Sequence, residues 1–184
     1  MNLDRDLPFR GARNYLQSAT LFDDILLLRG DSVKSVDFRF NKKTARQVRY
    51  QSVPPENESA SVAVWRDSEA TVFVVERDEE IGESVPYDEE ALVDRFVFTA
   101  AGVEVPSEIG EYTVMEAIVA GFKALLHRTV VTHKPKVVFV RARLSELPAL
   151  PLEVRYTRRI GEFYQGEICA SGKNVGQIFF GEWK

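Results

Sequence analysis

The chain has 184 residues, and its hydrophobic content of 45% with 12 Phe and 6 Tyr is enough for one domain or two small ones with a real core. Its net charge of −4 argues against a broad phosphate-binding surface, so nucleic acid is not an expected partner. One Cys and two His exclude an internal disulfide and disfavour a zinc site, so we expect no metal and no cofactor.

The ends and the apolar runs of the chain bear on its location. The apolar runs are too short and too often broken by charge to span a bilayer, and the start MNLDRDLPFRG lacks the pattern of a secretion signal. Cys169, the single cysteine, fits a reducing compartment, and its alternating context Glu-Ile-Cys-Ala predicts a buried thiol on a strand. We therefore expect a cytoplasmic protein without membrane partners.

The first half of the chain predicts one helix followed by four strands. Residues 14–28 place apolar side chains three and four residues apart, which makes one apolar helical face, and Gly30 then favours a stop. Alternation of apolar and polar residues predicts the strands, which we place at 36–40, 46–53, 61–65 and 71–76.

The most charged part of the chain, residues 77–95, lies between the two halves. Its composition predicts a solvated linker with one short helix at 88–94.

The second half repeats the same order of elements. A strand at 96–99 precedes the strongest helix of the chain, residues 111–128, which has one apolar stripe and carries His127 and Arg128 in its last turn, as the helix dipole favours. Further strands are predicted at 137–144, 152–158, 165–170 and 175–182.

A helix and four strands thus occur twice. The word Val-Arg-Tyr is found at 48–50 and again at 154–156, and Phe22 and Phe122 occupy comparable helical positions 100 residues apart (122 − 22). We predict two repeats, residues 1–83 and 84–184, with the shared order of elements as the better argument.

An amphipathic helix followed by antiparallel strands buries its apolar face best when the sheet curls around the helix. This order resembles the hotdog fold, so the predicted class is α+β, with two hotdog repeats in one chain. The alternative is one hotdog at residues 95–184 with an irregular N-terminal partner. Hotdog domains usually pair edge to edge, so a homodimer is a further arrangement that the resemblance implies.

The stretch Gly110 to Ala117, GEYTVMEA, resembles the start of the central helix in the β-hydroxyacyl-acyl-carrier-protein dehydratases. In that family a helix glutamate acts with a histidine in the preceding loop, and Glu116 matches the glutamate. The loop VEVPSEIGEY contains no histidine, and neither His127 nor His133 lies at the family's position. Because dehydration needs two proton-transferring groups, this departure puts that reaction in doubt.

The resemblance implies candidate catalytic carboxylates and carbonyl-binding groups near the two helix starts. Glu116 is the candidate general base; the alternative is a polar helix face shared with Lys123. Asp23 and Asp24 are the candidates on the first helix, where the alternative is a solvated face. Asn14, Tyr15 and Tyr112 precede the helices, where they would bind a thioester carbonyl or simply pack.

A basic concentration occurs in two neighbouring predicted strands. Arg155 and Arg158 are the predicted substrate-binding residues, with Arg141 and Arg143 on the next strand. Such a patch would suit the phosphates of coenzyme A or an acidic acyl carrier protein. The alternative is a solvent-facing sheet surface balanced by glutamates.

The leading hypothesis is an acyl-thioester protein that binds acyl-CoA or an acyl carrier protein between two hotdog halves and acts as a thioesterase or a dehydratase-like enzyme. The alternative is a non-catalytic hotdog subunit for binding or assembly in a lipid, fatty-acid or polyketide pathway. A third possibility is a purely structural protein, which needs no cleft.

Overall fold

The computed structural model describes residues 1–130 and 136–183, which divide into two compact units, residues 1–88 and 89–184. The boundary lies after Asp88, beyond the position 83 predicted from sequence. The reason is local: a two-residue strand at Ser84–Val85 pairs in parallel with Phe9–Arg10, which attaches the following residues to the first unit.

The first unit consists of one helix and seven strands within its described residues. In chain order they are β1 (Asn2–Arg5), β2 (Phe9–Arg10), α1 (Ser18–Arg29), β3 (Val36–Phe40), β4 (Arg46–Gln51), β5 (Ala63–Arg66), β6 (Thr71–Glu80) and β7 (Ser84–Val85). Short 3-10 turns occupy Gly30–Ser32 and Glu58–Ala60.

The first unit folds as an antiparallel sheet with α1 packed against it. The strands of the sheet follow the order β1-β4-β6-β5-β3. Phe22 of α1 meets Phe38 edge-on at 5.5 Å between ring centroids and Trp65 at 5.0 Å. These three rings are almost fully buried and form the centre of the core.

Helix α1 begins at Ser18, four residues later than the sequence pattern suggested. The backbone of Gln17 is extended, and the amide of Leu16 bonds the carbonyl of Thr44 at 2.9 Å, so this stretch is held by the β3–β4 connection. The predicted apolar face is buried at Leu21, Phe22 and Ile25, but Leu28 at the helix end is 40% exposed.

The segment predicted as a linker is more ordered than its charge indicated. Strand β6 continues to Glu80, because β4 extends alongside it and carries basic partners for its acidic residues. Arg46 lies 3.7 Å from Asp78, and Lys42 just before β4 lies 2.8 Å from Glu76. Cross-strand pairs of opposite charge thus permit an acidic stretch to form a strand.

The second unit consists of two helices and six strands within its described residues. In chain order they are α2 (Glu89–Val93), β8 (Val97–Phe98), β9 (Gly102–Val105), α3 (Val114–Thr129), β10 (Lys136–Leu144), β11 (Leu152–Ile160), β12 (Phe163–Ala170) and β13 (Lys173–Trp183).

In the second unit an antiparallel sheet surrounds the apolar face of α3. Its strand order is β10-β13-β12-β11-β9-β8. Phe122 of α3 meets Phe180 of β13 edge-on at 5.3 Å. It also lies over Gly166 of β12, where a Cβ atom would come within 2.6 Å of the ring. The glycine therefore permits the close approach of helix and strand.

The two units share an order of elements but differ in the order of strands. Without the short strands β2, β7 and β8, the remaining five strands of each unit can be numbered in chain order, from β1 and from β9. Across the sheet, the first unit then has the order first, third, fifth, fourth, second, whereas the second unit has first, third, fourth, fifth, second. In the second unit a tight turn at Gly161 makes β11 and β12 neighbours. In the first unit the connection over residues 52–62 is longer, and β6 lies between β4 and β5.

Both units therefore consist of a helix on an antiparallel sheet, and the class is α+β, as predicted. Within the ranges 1–130 and 136–183, none of the helices has the length and apolar character needed to cross a lipid bilayer.

Candidate active site

Glu116, the predicted general base, lies in the first turn of α3 and is 3% exposed. Among the described residues, no other Asp, Glu, Lys or Arg is buried to that extent over backbone and side chain together. The structure does not show the alternative, in which Glu116 lies on a polar helix face with Lys123. Lys123 forms an ion pair with Glu89 at 2.6 Å instead.

A capping box defines the start of α3. The backbone amide of Thr113 donates to Oε2 of Glu116, and the amide of Glu116 donates to Oγ1 of Thr113, both at 3.0 Å. This reciprocal pair satisfies two amides that the first helical turn leaves without a backbone acceptor. The sequence Thr-Val-Met-Glu matches that motif and explains why the helix begins at Val114 and not at the predicted residue 111.

Asp24 on α1 is engaged by two partners from the sheet of its own unit. Arg5 forms a bidentate ion pair with its carboxylate, and the hydroxyl of Tyr50 donates a hydrogen bond to Oδ2 of Asp24 at 2.8 Å. Burial, followed by the nearby charge of Asp24, raises the pKa of Tyr50 far above its ordinary value, so the phenol stays protonated and donates. The hydrogen bond with Asp24 also raises the pKa of Arg5.

The other candidates in the first unit lie around the start of α1. Asp23 is half-buried on the helix, Asn14 is exposed, and the ring of Tyr15 lies 4.7 Å from the ammonium of Lys43. In the same loop, Arg13 lies over the ring of Tyr87 at 5.0 Å.

In the second unit, Tyr112 is half-buried and directly precedes the capping residue Thr113, so it lies near Glu116 along the chain. Asp23 and Asp24 belong to the first unit and Glu116 to the second.

The predicted basic patch is divided, because β12 and β13 separate β11, which carries Arg155 and Arg158, from β10, which carries Arg141 and Arg143; the two strands are not neighbours as predicted. Arg155 pairs with Glu153 at 2.6 Å, and Nε of Arg158 donates to the amide oxygen of Gln165 at 3.2 Å. The guanidinium of Arg143 lies 6.0 Å from the ring of Phe179. Arg155 thus has the glutamate partner that the alternative interpretation expected.

His127 does not complete a pair of proton-transferring groups with Glu116. His127 follows Glu116 by eleven helical residues, a rise of about 16 Å along α3. His133 lies outside the described residues. Within the ranges that the structure describes, no cluster of three or more His, Cys, Asp or Glu side chains could hold a metal ion.

Sequence reasoning missed Arg5 and Tyr50 as partners of Asp24. A partial signal was present, since Val48 and Tyr50 alternate with polar residues and therefore occupy the buried face of their strand. Arg5 gave no comparable signal, because β1 is short and mostly exposed.

The antiparallel sheet of the second unit wraps around a central helix, which is a hotdog-like arrangement within the α+β class. No protein-family model matches the chain, and no curated protein matches it in sequence.

Solved structures similar to the chain include three whose similarity extends over most of both chains. The TesB protein of Mycobacterium avium subspecies paratuberculosis is 12% identical with a TM-score of 0.44, covering 97% of this chain and 89% of that one. A trans-acyltransferase polyketide synthase enoyl-isomerase is 9% identical with a TM-score of 0.43, covering 99% and 96%. A Thermobifida fusca protein assigned as a thioesterase II is 10% identical with a TM-score of 0.44, covering 100% and 92%.

Proposed function

We propose that the protein is a double hotdog that binds an acyl thioester, acyl-CoA or acyl carrier protein, and hydrolyses it with Glu116 as general base. One observation carries the proposal: Glu116 is a carboxylate buried at the start of the central helix of a hotdog-type unit. Burying a charged group is costly, and such groups concentrate at functional sites.

The chemistry that follows is thioester hydrolysis. Glu116 takes a proton from a water molecule, whose oxygen attacks the thioester carbonyl carbon. The C–S bond then breaks, and the sulfur leaves with the proton as a free thiol. The positive end of the α3 dipole lies beside Glu116, where it would stabilise the oxyanion formed during the attack.

Two groups of residues would hold the substrate in this proposal. Tyr112, next to the helix start, would donate to the thioester carbonyl, and Asn14 and Tyr15 would serve the corresponding place in the first unit. Arg155 and Arg158 are exposed guanidinium groups of a kind that binds the phosphates of coenzyme A or an acidic carrier protein. The proposed setting is the cytoplasm, where acyl-CoA is available.

A non-catalytic binding or assembly role is the second candidate, and the capping box favours it. Glu116 already accepts a hydrogen bond from Thr113, and Asp24 is held by Arg5 and Tyr50, so both carboxylates have structural partners. His127 is about 16 Å along the helix from Glu116, which leaves dehydration without its second group among the described residues.

Free-thiol release from acyl-CoAs of different chain lengths tests these alternatives. Glu116→Gln is the informative variant, because a glutamine also completes a capping box and the change removes the charge without uncapping the helix. Loss of a general base should lower the rate by about 10²- to 10⁴-fold. Glu111→Gln, exposed and two residues before the helix cap, is the matched control and should retain full activity.

The results separate the candidates. Release by the wild type that Glu116→Gln retains would reject Glu116 as the base, and Asp23→Asn would then test the next carboxylate. No release by the wild type, together with a thermal shift on adding acyl-CoA, would establish the binding role instead. If the wild type shows neither thiol release nor binding of acyl-CoA, both candidate functions are rejected.

A further inference from the structure

The second unit contains a pocket of about 430 Å³ that lacks Glu116 and Tyr112 and shares only Arg155 with the residues proposed to hold the thioester substrate. It lies where β8, β9 and β11 meet the turn between β12 and β13. The register places Val97, Glu104, Glu153 and Cys169 in one row across these strands. Gly166 on β12 faces Phe122 of α3, so Cys169, an odd number of residues away, faces the opposite side of the sheet. The pocket is therefore outside the helix-wrapped core.

Charged side chains of both signs line this pocket, and two of them have no ionic partner among the described residues. Arg155 is paired with Glu153 at 2.6 Å. Arg95 and Glu104, by contrast, form no ion pair within 4 Å with any residue that the structure describes, including each other. Within the ranges 1–130 and 136–183, the pocket thus presents one guanidinium and one carboxylate that lack an ion-pair partner.

The wall beside these two charges is apolar. Val97, Pro106 and Pro151 contribute aliphatic surface, and Val97 is 58% exposed. Ligand pockets typically combine such apolar lining with a few polar groups that fix orientation, and about 430 Å³ lies within their usual size range.

We propose that this pocket binds a free α-amino acid with an apolar side chain. The ligand carboxylate would accept hydrogen bonds from the guanidinium N–H groups of Arg95, and the ligand ammonium would donate hydrogen bonds to the carboxylate of Glu104. The apolar side chain would lie against Val97, Pro106 and Pro151. A zwitterion pairs with both charges at once, whereas a simple anion would be repelled by the carboxylate of Glu104 and a simple cation by the guanidinium of Arg95.

Cys169 makes the proposal measurable, because it lines the pocket and is the only cysteine of the chain. Burial raises the pKa of its thiol, so alkylation by iodoacetamide is followed at alkaline pH, which increases the reactive thiolate fraction. At leucine or phenylalanine concentrations ten times the dissociation constant, alkylation should slow about tenfold, since an occupied pocket covers the sulfur. Isothermal titration calorimetry supplies that constant.

Two leucine derivatives divide the interaction into its halves. N-acetyl-leucine lacks the ammonium and leucinamide lacks the carboxylate, so neither should protect Cys169 at concentrations where leucine does. Arg95→Gln and Glu104→Gln should each abolish protection by leucine. Arg143→Gln, on the same face of the sheet but outside the pocket lining, is the control and should keep it.

The proposal is overturned if leucine and phenylalanine give neither heat nor protection, if the two derivatives protect as well as leucine, or if both pocket variants remain protected. Glu116→Gln should leave the protection unchanged, so failure of the amino-acid site and failure of the thioesterase proposal are separate results.

Discussion

The hydroxyl of Tyr50 donates a 2.8 Å hydrogen bond to Oδ2 of Asp24, which joins β4 to α1 inside the first unit. Tyr50 is fully buried, and Arg5 holds the same carboxylate from β1. A helix and two strands are thus fixed to one another through a single carboxylate.

Replacing Tyr50 by Phe should lower the free energy of unfolding by about 1.5–3 kcal/mol, the range for hydrogen bonds to charged groups. The ring remains in place, so the loss reports on the hydroxyl. Urea unfolding followed by circular dichroism gives the value. Tyr50→Phe combined with Asp24→Asn should cost less than the sum of the single changes; strict additivity would show that the two groups do not interact.

Asp67 should make the first unit sensitive to acid. Its side chain is 1% exposed, and burial alone would raise its pKa. Hydrogen bonds from Arg29, Trp65 and the amides of Glu69 and Ala70 outweigh burial and hold the pKa well below its ordinary value. A carboxylate with a depressed folded pKa stabilises fully above its unfolded pKa of about 4 and loses that contribution as the pH falls further.

Asp67→Asn should therefore destabilise the protein by about 1–3 kcal/mol at neutral pH and flatten the decline in stability below about pH 4. Chemical unfolding at several pH values measures both effects. Asp4→Asn removes a more exposed partner of Arg49 and should change stability much less than Asp67→Asn does, because solvent screens exposed ion pairs. An equally steep acid decline in Asp67→Asn and the wild type would contradict the assignment.

The capping box of α3 should contribute measurably to the second unit. Thr113→Ala removes the side-chain acceptor for the Glu116 amide and should lower the free energy of unfolding by about 1 kcal/mol. Thr113→Ser keeps a hydroxyl and should restore most of it, as measured by thermal unfolding. Equal stability of the alanine variant and the wild type would mean that water replaces the cap.

The contact between Gly166 and Phe122 should tolerate no added methyl group. A Cβ at residue 166 would lie 2.6 Å from the ring and 3.0 Å from the carbonyl of Arg155, so Gly166→Ala should cost about 1–3 kcal/mol. Adding Phe122→Leu should recover part of that loss by making space. Gly82→Ala, where no atom lies within 4 Å, is the control and should be close to neutral in urea unfolding.

Periodicity was sufficient for the long elements and not for the short ones. Helix α3 and strands β10 to β13 were predicted within a few residues, because each buries one regular face against the core. Strands β1 and β9, of four residues each, were missed, although β5, which is equally short, was predicted. Cys169 was placed on a strand correctly but is half-buried, since Ile168 and Ala170 occupy the helix-facing side.

The candidate site was predictable to a smaller degree. Glu116 was recognised from the residues before it, yet its burial and its bond to Thr113 depend on where the helix begins. Asp24 differs from Glu116, because the alternative for a carboxylate on an amphipathic helix is a solvated face. Only the tertiary structure shows that Arg5 and Tyr50 bind the carboxylate of Asp24.

The sequence alone determined the order of elements, because alternation and helical spacing are local properties of neighbouring residues. The tertiary structure decided which strands became neighbours, which carboxylates acquired partners, and that Arg95, Glu104 and Cys169 line one pocket. Those outcomes depend on contacts between residues distant in the chain, where loop length and side-chain volume select among arrangements that the same local pattern permits.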